Sequence, residues 1–333
     1  MIQKILRISN NHGVRTLAKE FPPFFHKTID NITLPLTNYF FDQKYGKGES
    51  IMSKEWDNLL LFDACRYDYF RRISPFQKNI VERRVTLGSR TPQFYHRTFD
   101  NKTCHDIVCV TANPQTLRYD FERDNSPFHA IISVVDQWDE RLQTVHPMDV
   151  YEASARAEKK YPNKRLLIHF LQPHAPFIGP TAKQLRKRTG KTIGGLDPGR
   201  EYTDMKTKKI DTTSYRGMLR HDPKLDLSTI RESYIETLRI VTNYVIGLAG
   251  KLKGKTAISS DHGELLGDRI HRFGSRRWEH PGGVRSKELC LVPWVEIPTD
   301  EKKTITSDPP TNNTNNVDQS MINEKLQSLG YME

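Results

Sequence analysis

Cysteine is scarce in this sequence. Only Cys65, Cys104, Cys109 and Cys290 occur, and no Cys-x-x-Cys pair is formed. That spacing excludes a disulfide framework and a zinc ribbon, and a reducing compartment is the simplest expectation. Long apolar runs are missing as well. No stretch reaches the ~18 residues of a membrane span, and the start, "MIQKILRISNN", lacks a secretory hydrophobic region. There is no internal repeat. No zinc-finger, helix-turn-helix or RNA-recognition signature appears, so nucleic-acid readout is not expected. These absences point to a cytoplasmic chain with room for peripheral membrane contact. Residues 1–30 are mildly amphipathic and basic, which suits a helix capping the domain better than one lying on a membrane.

What is present describes a globular chain with a cationic surface. With 333 residues and 36% hydrophobic content, it can bury a sizeable core. Lysine and arginine number 51 against 40 aspartates and glutamates, a formal net charge of +11. An excess of this size suggests an anionic partner: nucleic acid, an acidic membrane surface, or a phosphate or sulfate ester.

Six short runs read as strands: "DNLLLF" (57–62), "DIVCVTA" (106–112), "HAIISVV" (129–135), "RLLIHFL" (165–171), "KTAISS" (255–260) and "LCLVPWVEI" (289–297). Continuous apolar runs of this length suit buried parallel strands. Between the fourth and fifth, Ile230, Tyr234, Leu238, Val241, Val245 and Leu248 recur at helical spacing over 228–252. Ser228 offers the N-cap, and Gly254 follows the end. Strands alternating with helices predict a three-layer α/β/α sandwich around a mostly parallel sheet. In such sheets ligands bind at the carboxyl ends of the strands. We divide the chain into an N-terminal helical segment (1–50), a catalytic domain (51–297), and a polar linker with a short helix over 319–328 (298–333). Within the domain, the Lys-, Arg- and Gly-rich stretch 179–226 reads as an insertion or lid.

Polar residues sit where these strand runs stop. Asp63 follows "LLLF", His174 follows "LLIHFLQP", and Asp261 and His262 follow "TAISS". In "GSRTPQFYHRTF", Pro92 suits the first position of a helix and Thr91 its N-cap. Two carboxylates, an imidazole and a hydroxyl at one sheet edge suit a divalent cation with mixed oxygen and nitrogen ligands. That cation also activates the hydroxyl. His169 lies inside a strand run and reads as a hydrogen-bonded core histidine.

The ordered set resembles the alkaline phosphatase superfamily, most closely its sulfatase-like branch. "LLLFDACRYD" resembles the first strand with its metal-binding Asp. "HFLQPHAPF" resembles the middle His segment, "DHGE" the Asp-His metal segment, and "WEHPGG" the last His segment. The resemblance spans roughly residues 55–297. It implies that Asp63, Thr91, Asp261 and His262 hold one divalent metal (Mn, Mg, Ca or Zn), with Thr91 as nucleophile and Ser89 as its rival. It further implies that His174 and His280 contact the anionic group or help hold a second metal. Arg66 is a further candidate for anion contact, His271 an alternative to His280, and Glu264 a residue that orients the ligands. Two departures qualify the match. No cysteine lies in the Cys-x-Pro-x-Arg segment that yields formylglycine in sulfatases. Phe170 stands where alkaline phosphatases place the Asp of a second zinc site. The expected activity is metal-dependent hydrolysis or transfer of a phosphate or sulfate ester through a covalent enzyme intermediate. The substrate would be an anionic ester, such as one on a glycan or lipid head group. The competing expectation is a non-catalytic anion-binding protein with a degenerate site.

Overall fold

Leu59 and Leu61 face one side of a strand, and Leu60 and Phe62 face the other; all four are fully buried. A strand buried on both faces must lie inside a sheet covered by helices on both sides. The computed structural model, which describes residues 33–123, 125–189, 219, 225–270, 276–311 and 318–329, has this arrangement. Its strands are β1 (Asn58–Asp63), β2 (Glu82–Val85), β3 (Cys104–Thr111), β4 (Phe128–Ser133), β5 (Trp138–Asp139), β6 (Thr144–Val145), β7 (Arg165–Pro173), β8 (Thr256–Ser260), β9 (Leu265–Asp268), β10 (Arg277–Glu279) and β11 (Leu291–Ile297). Seven of them form one sheet in the order β2-β11-β8-β1-β7-β3-β4. β1 pairs in parallel with β7 and β8, and β3 in parallel with β7 and β4. β11 runs antiparallel to both of its neighbours, β8 and the edge strand β2.

The helices are α1 (residues 33–45), α2 (Tyr67–Ile73), α3 (Thr91–Phe99), α4 (Pro114–Phe121), α5 (Pro147–Lys160), α6 (Pro180–Thr189), α7 (Leu227–Ala249), α8 (Lys287–Cys290) and α9 (Gln319–Ser328). On one face, α2, α5 and α7 bring Phe70, Ala153, Tyr234, Leu238 and Val241 onto Leu60, Phe62 and Ile168. On the other, α3, α4 and α9 bring Phe94, Tyr95, Leu117 and Ile322 onto Leu59, Leu61 and Leu167. Each such large side chain contributes about 1.5–3 kcal/mol when fully buried. The long helix is capped by Asp226 rather than by Ser228. Asp226 accepts from the Thr229 backbone N–H at 2.8 Å, and the Ser228 hydroxyl donates to the same carboxylate. A carboxylate next to exposed N–H groups outcompetes a neutral hydroxyl for that position.

Two outer segments complete the molecule. Phe41 of α1 is buried with Val284, Leu289 and Leu291, and Asn38 exchanges hydrogen bonds with the Gly283 carbonyl and the Arg285 N–H, both at 2.8 Å. Residues 299–311 carry no helix or strand, yet their backbone is tied down along the amino ends of the strands. Thr306 N–H donates to Asn163 at 2.9 Å, and Thr311 N–H to His129 at 2.8 Å. Lys303 Nζ donates to Asn58 Oδ1 at 2.9 Å and to Glu158 Oε2 at 2.5 Å. The described part of the 179–226 stretch includes α6; residues 190–218 and 220–224 lie outside the described residues.

Candidate active site

Parallel pairing of β1 and β8, with Phe62 opposite Ser260, sets Asp63 beside Asp261 and His262. The chain turns sharply after β1 because Ala64 adopts a left-handed φ of 63°. For a residue with a Cβ that conformation costs roughly 1–2 kcal/mol. The turn is held by its own N–H groups. Ala64 N donates to Asp261 Oδ1 at 3.2 Å, Cys65 N to Ser260 Oγ at 2.9 Å, and Arg66 N to the Tyr234 hydroxyl at 2.9 Å. Glu279, immediately before His280, has the same kind of strain at φ 64°. Strain of this kind gathers where a side chain must be aimed.

Thr91 opens α3, but Arg90 occupies the cap position instead of Thr91. The reason is where the Thr91 hydroxyl points. It donates to Asp261 Oδ2 at 2.7 Å and lies 3.3 Å from His262 Nε2, so it is not turned back onto its own helix. His262 Nδ1–H faces the Gly263 carbonyl at 2.8 Å, a contact that assigns the proton to Nδ1 and leaves the Nε2 lone pair facing inward. From there Nε2 is 3.4 Å from Asp63 Oδ1 and 3.5 Å from Asp261 Oδ2.

Thr91, Asp63, Asp261 and His262 are all fully buried. Burial drives the Asp63 carboxyl well above the usual range, and the charges of Asp261 and Glu264 push it further; only the hydrogen bond from Asn113 lowers it. Asn113 Nδ2 donates to Asp63 Oδ2 at 2.5 Å and lies 3.4 Å from Thr91 Oγ1. Asp63 Oδ1 has no hydrogen-bond partner among the described residues. Two adjacent buried carboxylates, an inward lone pair and a hydroxyl oxygen make a donor set that fits a divalent cation.

A second group stands next to it. Ligand atoms of His174, Glu264 and His280 lie within 4.8 Å of one another. Glu264 Oε2 is 3.1 Å from His280 Nδ1, and the His280 ring centroid is 4.7 Å from that of His262 and 4.9 Å from that of His174. Burial pushes the Glu264 carboxyl up to about 8 and the His280 imidazole down to about 4.

The structure thus brings together Asp63, Thr91, Asp261 and His262, with His174, Glu264 and His280 beside them. Two other candidates point elsewhere. The Arg66 guanidinium is held by both oxygens of Asp68, at 2.9 and 2.7 Å, and by Asp268 at 2.7 Å. It ties α2 to β9 and is committed to carboxylates of the protein. The Ser89 hydroxyl faces the Pro281 carbonyl at 2.9 Å and Gln93 Oε1 at 3.1 Å, and not the carboxylate pair. His271 lies outside the described residues. Two residues were not anticipated. Asn113 reads in the sequence as a helix cap before Pro114, and it is one, accepting from Gln115 N–H at 2.8 Å; its amide nitrogen does the second job. His169 is buried, as expected of a core histidine, but ligand atoms of Asp63, His169 and Asp261 also lie within 4.8 Å of one another.

No protein-family model matches the chain, and no curated protein matches it. Solved structures with a similar course of the chain include the soluble domain of lipooligosaccharide phosphoethanolamine transferase A from Neisseria meningitidis. It is 12% identical, with 74% of this chain and 76% of that chain covered and a TM-score of 0.41. The C-terminal periplasmic domain of EcEptC from Escherichia coli, in complex with Zn, is 12% identical over 76% of this chain and 75% of that chain, with a TM-score of 0.42. A 2-O GAG sulfatase is 10% identical over 76% of this chain and 65% of that chain, with a TM-score of 0.42. Likeness at this level is distant.

Proposed function

We propose that the protein is a metal-dependent enzyme of the sulfatase-like branch of the alkaline phosphatase superfamily that transfers or hydrolyses the acid group of a phosphate or sulfate ester. One observation carries the reading: the Thr91 hydroxyl, buried at the start of a helix, donates to Asp261 Oδ2 at 2.7 Å while His262 Nε2 stands 3.3 Å away. A hydroxyl already delivering its hydrogen to a carboxylate is poised to act as a nucleophile. A helix start also offers backbone N–H groups to an incoming anion.

Asp63, Thr91, Asp261 and His262 are the residues that would hold the divalent ion, with room for a second at His174, Glu264 and His280. When bound, such an ion lowers the pKa of the hydroxyl and offsets negative charge on the ester oxygens. The remaining chemistry belongs to the chain. Asp261 Oδ2 orients the Thr91 hydroxyl and takes its proton as Oγ forms a bond to phosphorus or sulfur and the bond to the leaving oxygen breaks. His174 or His280, neutral in this buried site, donates a ring N–H hydrogen bond to that oxygen or to a non-bridging oxygen, and the leaving oxygen takes its proton from water. The Asn113 amide, 3.4 Å from the nucleophile, supplies a donor where negative charge develops. Water or an acceptor alcohol then cleaves the Thr91 ester, giving hydrolysis or transfer. Formylglycine chemistry is not used, because the nucleophile position is threonine.

The test is a matrix of the metal-stripped protein with Mn²⁺, Mg²⁺, Ca²⁺ or Zn²⁺ against chromogenic phosphate monoester, phosphate diester and sulfate ester. Thr91→Ala is expected to remove metal-dependent turnover, and Ser89→Ala to retain it. The opposite pattern overturns the nucleophile assignment. Absence of stoichiometric metal binding favours the non-catalytic anion-binding reading.

A further inference from the structure

His169 projects from the middle of β7, in register with Leu61 on one side and Thr111 on the other. Its imidazole is fully buried and held at one end. Nδ1 lies 3.1 Å from the Tyr95 hydroxyl and 3.4 Å from Thr116 Oγ1. The ring also stacks on Tyr95, centroids 5.8 Å apart and planes 29° from parallel. The other end is different. Nε2 has no hydrogen-bond partner among the described residues, and it stands 3.6 Å from Asp261 Oδ2.

Two facts assign the proton on this ring. Tyr95 and Thr116 both carry hydroxyls able to donate into Nδ1, while a carboxylate oxygen can only accept. A neutral imidazole between them is best satisfied with its single proton on Nε2. The gap to Asp261 closes to an ordinary hydrogen bond with a shift of roughly half an ångström, and a buried N–H left without an acceptor is costly.

The two oxygens of Asp261 are held unequally. Oδ1 accepts from the Ala64 N–H at 3.2 Å and the His262 N–H at 2.7 Å. Oδ2 accepts from Thr91 at 2.7 Å, the group that must leave it during the reaction. Once Thr91 Oγ turns to the ester, His169 is the donor placed to keep Oδ2 in position. We propose that His169 is a positioning residue: through Nε2–H it fixes Asp261 Oδ2 in the place from which that carboxylate serves both Thr91 and the divalent ion. This rests on the metal-dependent reading above.

The experiment compares Mn²⁺ affinity, measured by titration calorimetry on the metal-stripped full chain, with kcat and KM for the ester that the wild type turns over best. His169→Phe keeps the ring stacked on Tyr95 and removes both nitrogens. It is expected to weaken Mn²⁺ binding by about 10–100-fold and to lower kcat more than it raises KM. His169→Gln can place an amide N–H near the Nε2 position and is expected to recover most of the loss. Where the Phe variant does not fold, Tyr95→Phe removes the hydroxyl that fixes the imidazole, and weaker Mn²⁺ binding by that variant supports the proposal. Wild-type affinity in His169→Phe, or in Tyr95→Phe where that variant replaces it, overturns the His169 role alone. A wild-type chain that binds none of Mn²⁺, Mg²⁺, Ca²⁺ and Zn²⁺ overturns the underlying reading, and the positioning role with it; where another of these ions binds and Mn²⁺ does not, the same comparison is made with that ion.

Discussion

Thr91 differs from a threonine in an ordinary helix start in what surrounds its hydroxyl: two carboxylates and an imidazole, all sealed from solvent. Thr91→Ser keeps the hydroxyl and is expected to retain measurable metal-dependent turnover where Thr91→Ala loses at least ~10³-fold, the scale of losing a covalent nucleophile. The same crowding makes the metal-free protein sensitive to pH. Burial lowers the imidazoles of His169, His174, His262 and His280 below their ordinary 6.5. Burial also raises the carboxyls of Asp63 and Glu264. Below about pH 6.5 the unfolded chain takes up protons on four histidines that the folded state keeps neutral. The raised carboxyls of Asp63, Asp120, Asp149 and Glu264 oppose this, but the lowered carboxyls of Asp100, Asp226, Glu296, Asp308 and Asp318 act in the same sense as the histidines, so stability rises with pH over that range. Above about pH 6.5 the histidines are neutral in both states, while folded Glu264 keeps to about 8 a proton that the unfolded chain has already lost; stability therefore falls with rising pH up to about 8. The thermal midpoint of metal-free protein is expected to peak near pH 6.5. A midpoint that climbs without a maximum through pH ~8 contradicts this assignment.

The turn "DHGE" is where an element, rather than a side chain, sets the site. Gly263 lies so close to α8 that a Cβ there would meet the Glu288 carbonyl oxygen at 2.0 Å. Its N–H donates to Leu289 at 2.8 Å, and the Glu264 N–H donates to Glu288 at 3.1 Å. Gly263→Ala must push the turn off that support. The expected cost is about 2–3 kcal/mol, read by urea unfolding, together with weaker metal binding because His262 and Glu264 flank the displaced residue. Elements also explain what was legible beforehand. Asp63, Asp261 and His174 could be found because each ends an apolar run, and strand ends of a parallel sheet meet along one edge. The long helix was found from its periodicity. His169 could not be found this way. Inside "LLIHFL" it has no signature, and its place beside Asp261 depends on the register of β1 with β7, which a distant crossover fixes. Asn113 was hidden behind a sufficient local explanation, its cap. Ser228 and Asp226 differ by two residues within one capping sequence, and the choice turns on charge.

Across the whole molecule, the two edges of the sheet have separate duties. The carboxyl ends of the strands hold the site, and residues 299–311 are fastened along the amino ends by Lys303 and Lys164. No helix among the described residues is long and apolar enough to cross a membrane. α1 nevertheless exposes Leu36, Tyr39 and Phe40 at 56%, 57% and 65%, with Lys44 and Lys47 exposed beyond them. An apolar stripe continued by lysines on a chain of net charge +11 suits an anionic lipid surface. Cosedimentation with phosphatidylserine vesicles is expected to capture the protein, and Leu36→Glu with Phe40→Glu to release it; equal capture of both sends the contact elsewhere. The strand order bears on how a ribosome makes this protein. β1 lies at the centre of the sheet, yet β7 begins at Arg165 and β8 at Thr256. At ~5–20 residues per second, the second edge of β1 waits roughly 10–40 s for its partner. For about the first half of that interval β1 has neither neighbour, and for the rest only β7, so an apolar strand stands incompletely paired on the nascent chain until β8 emerges.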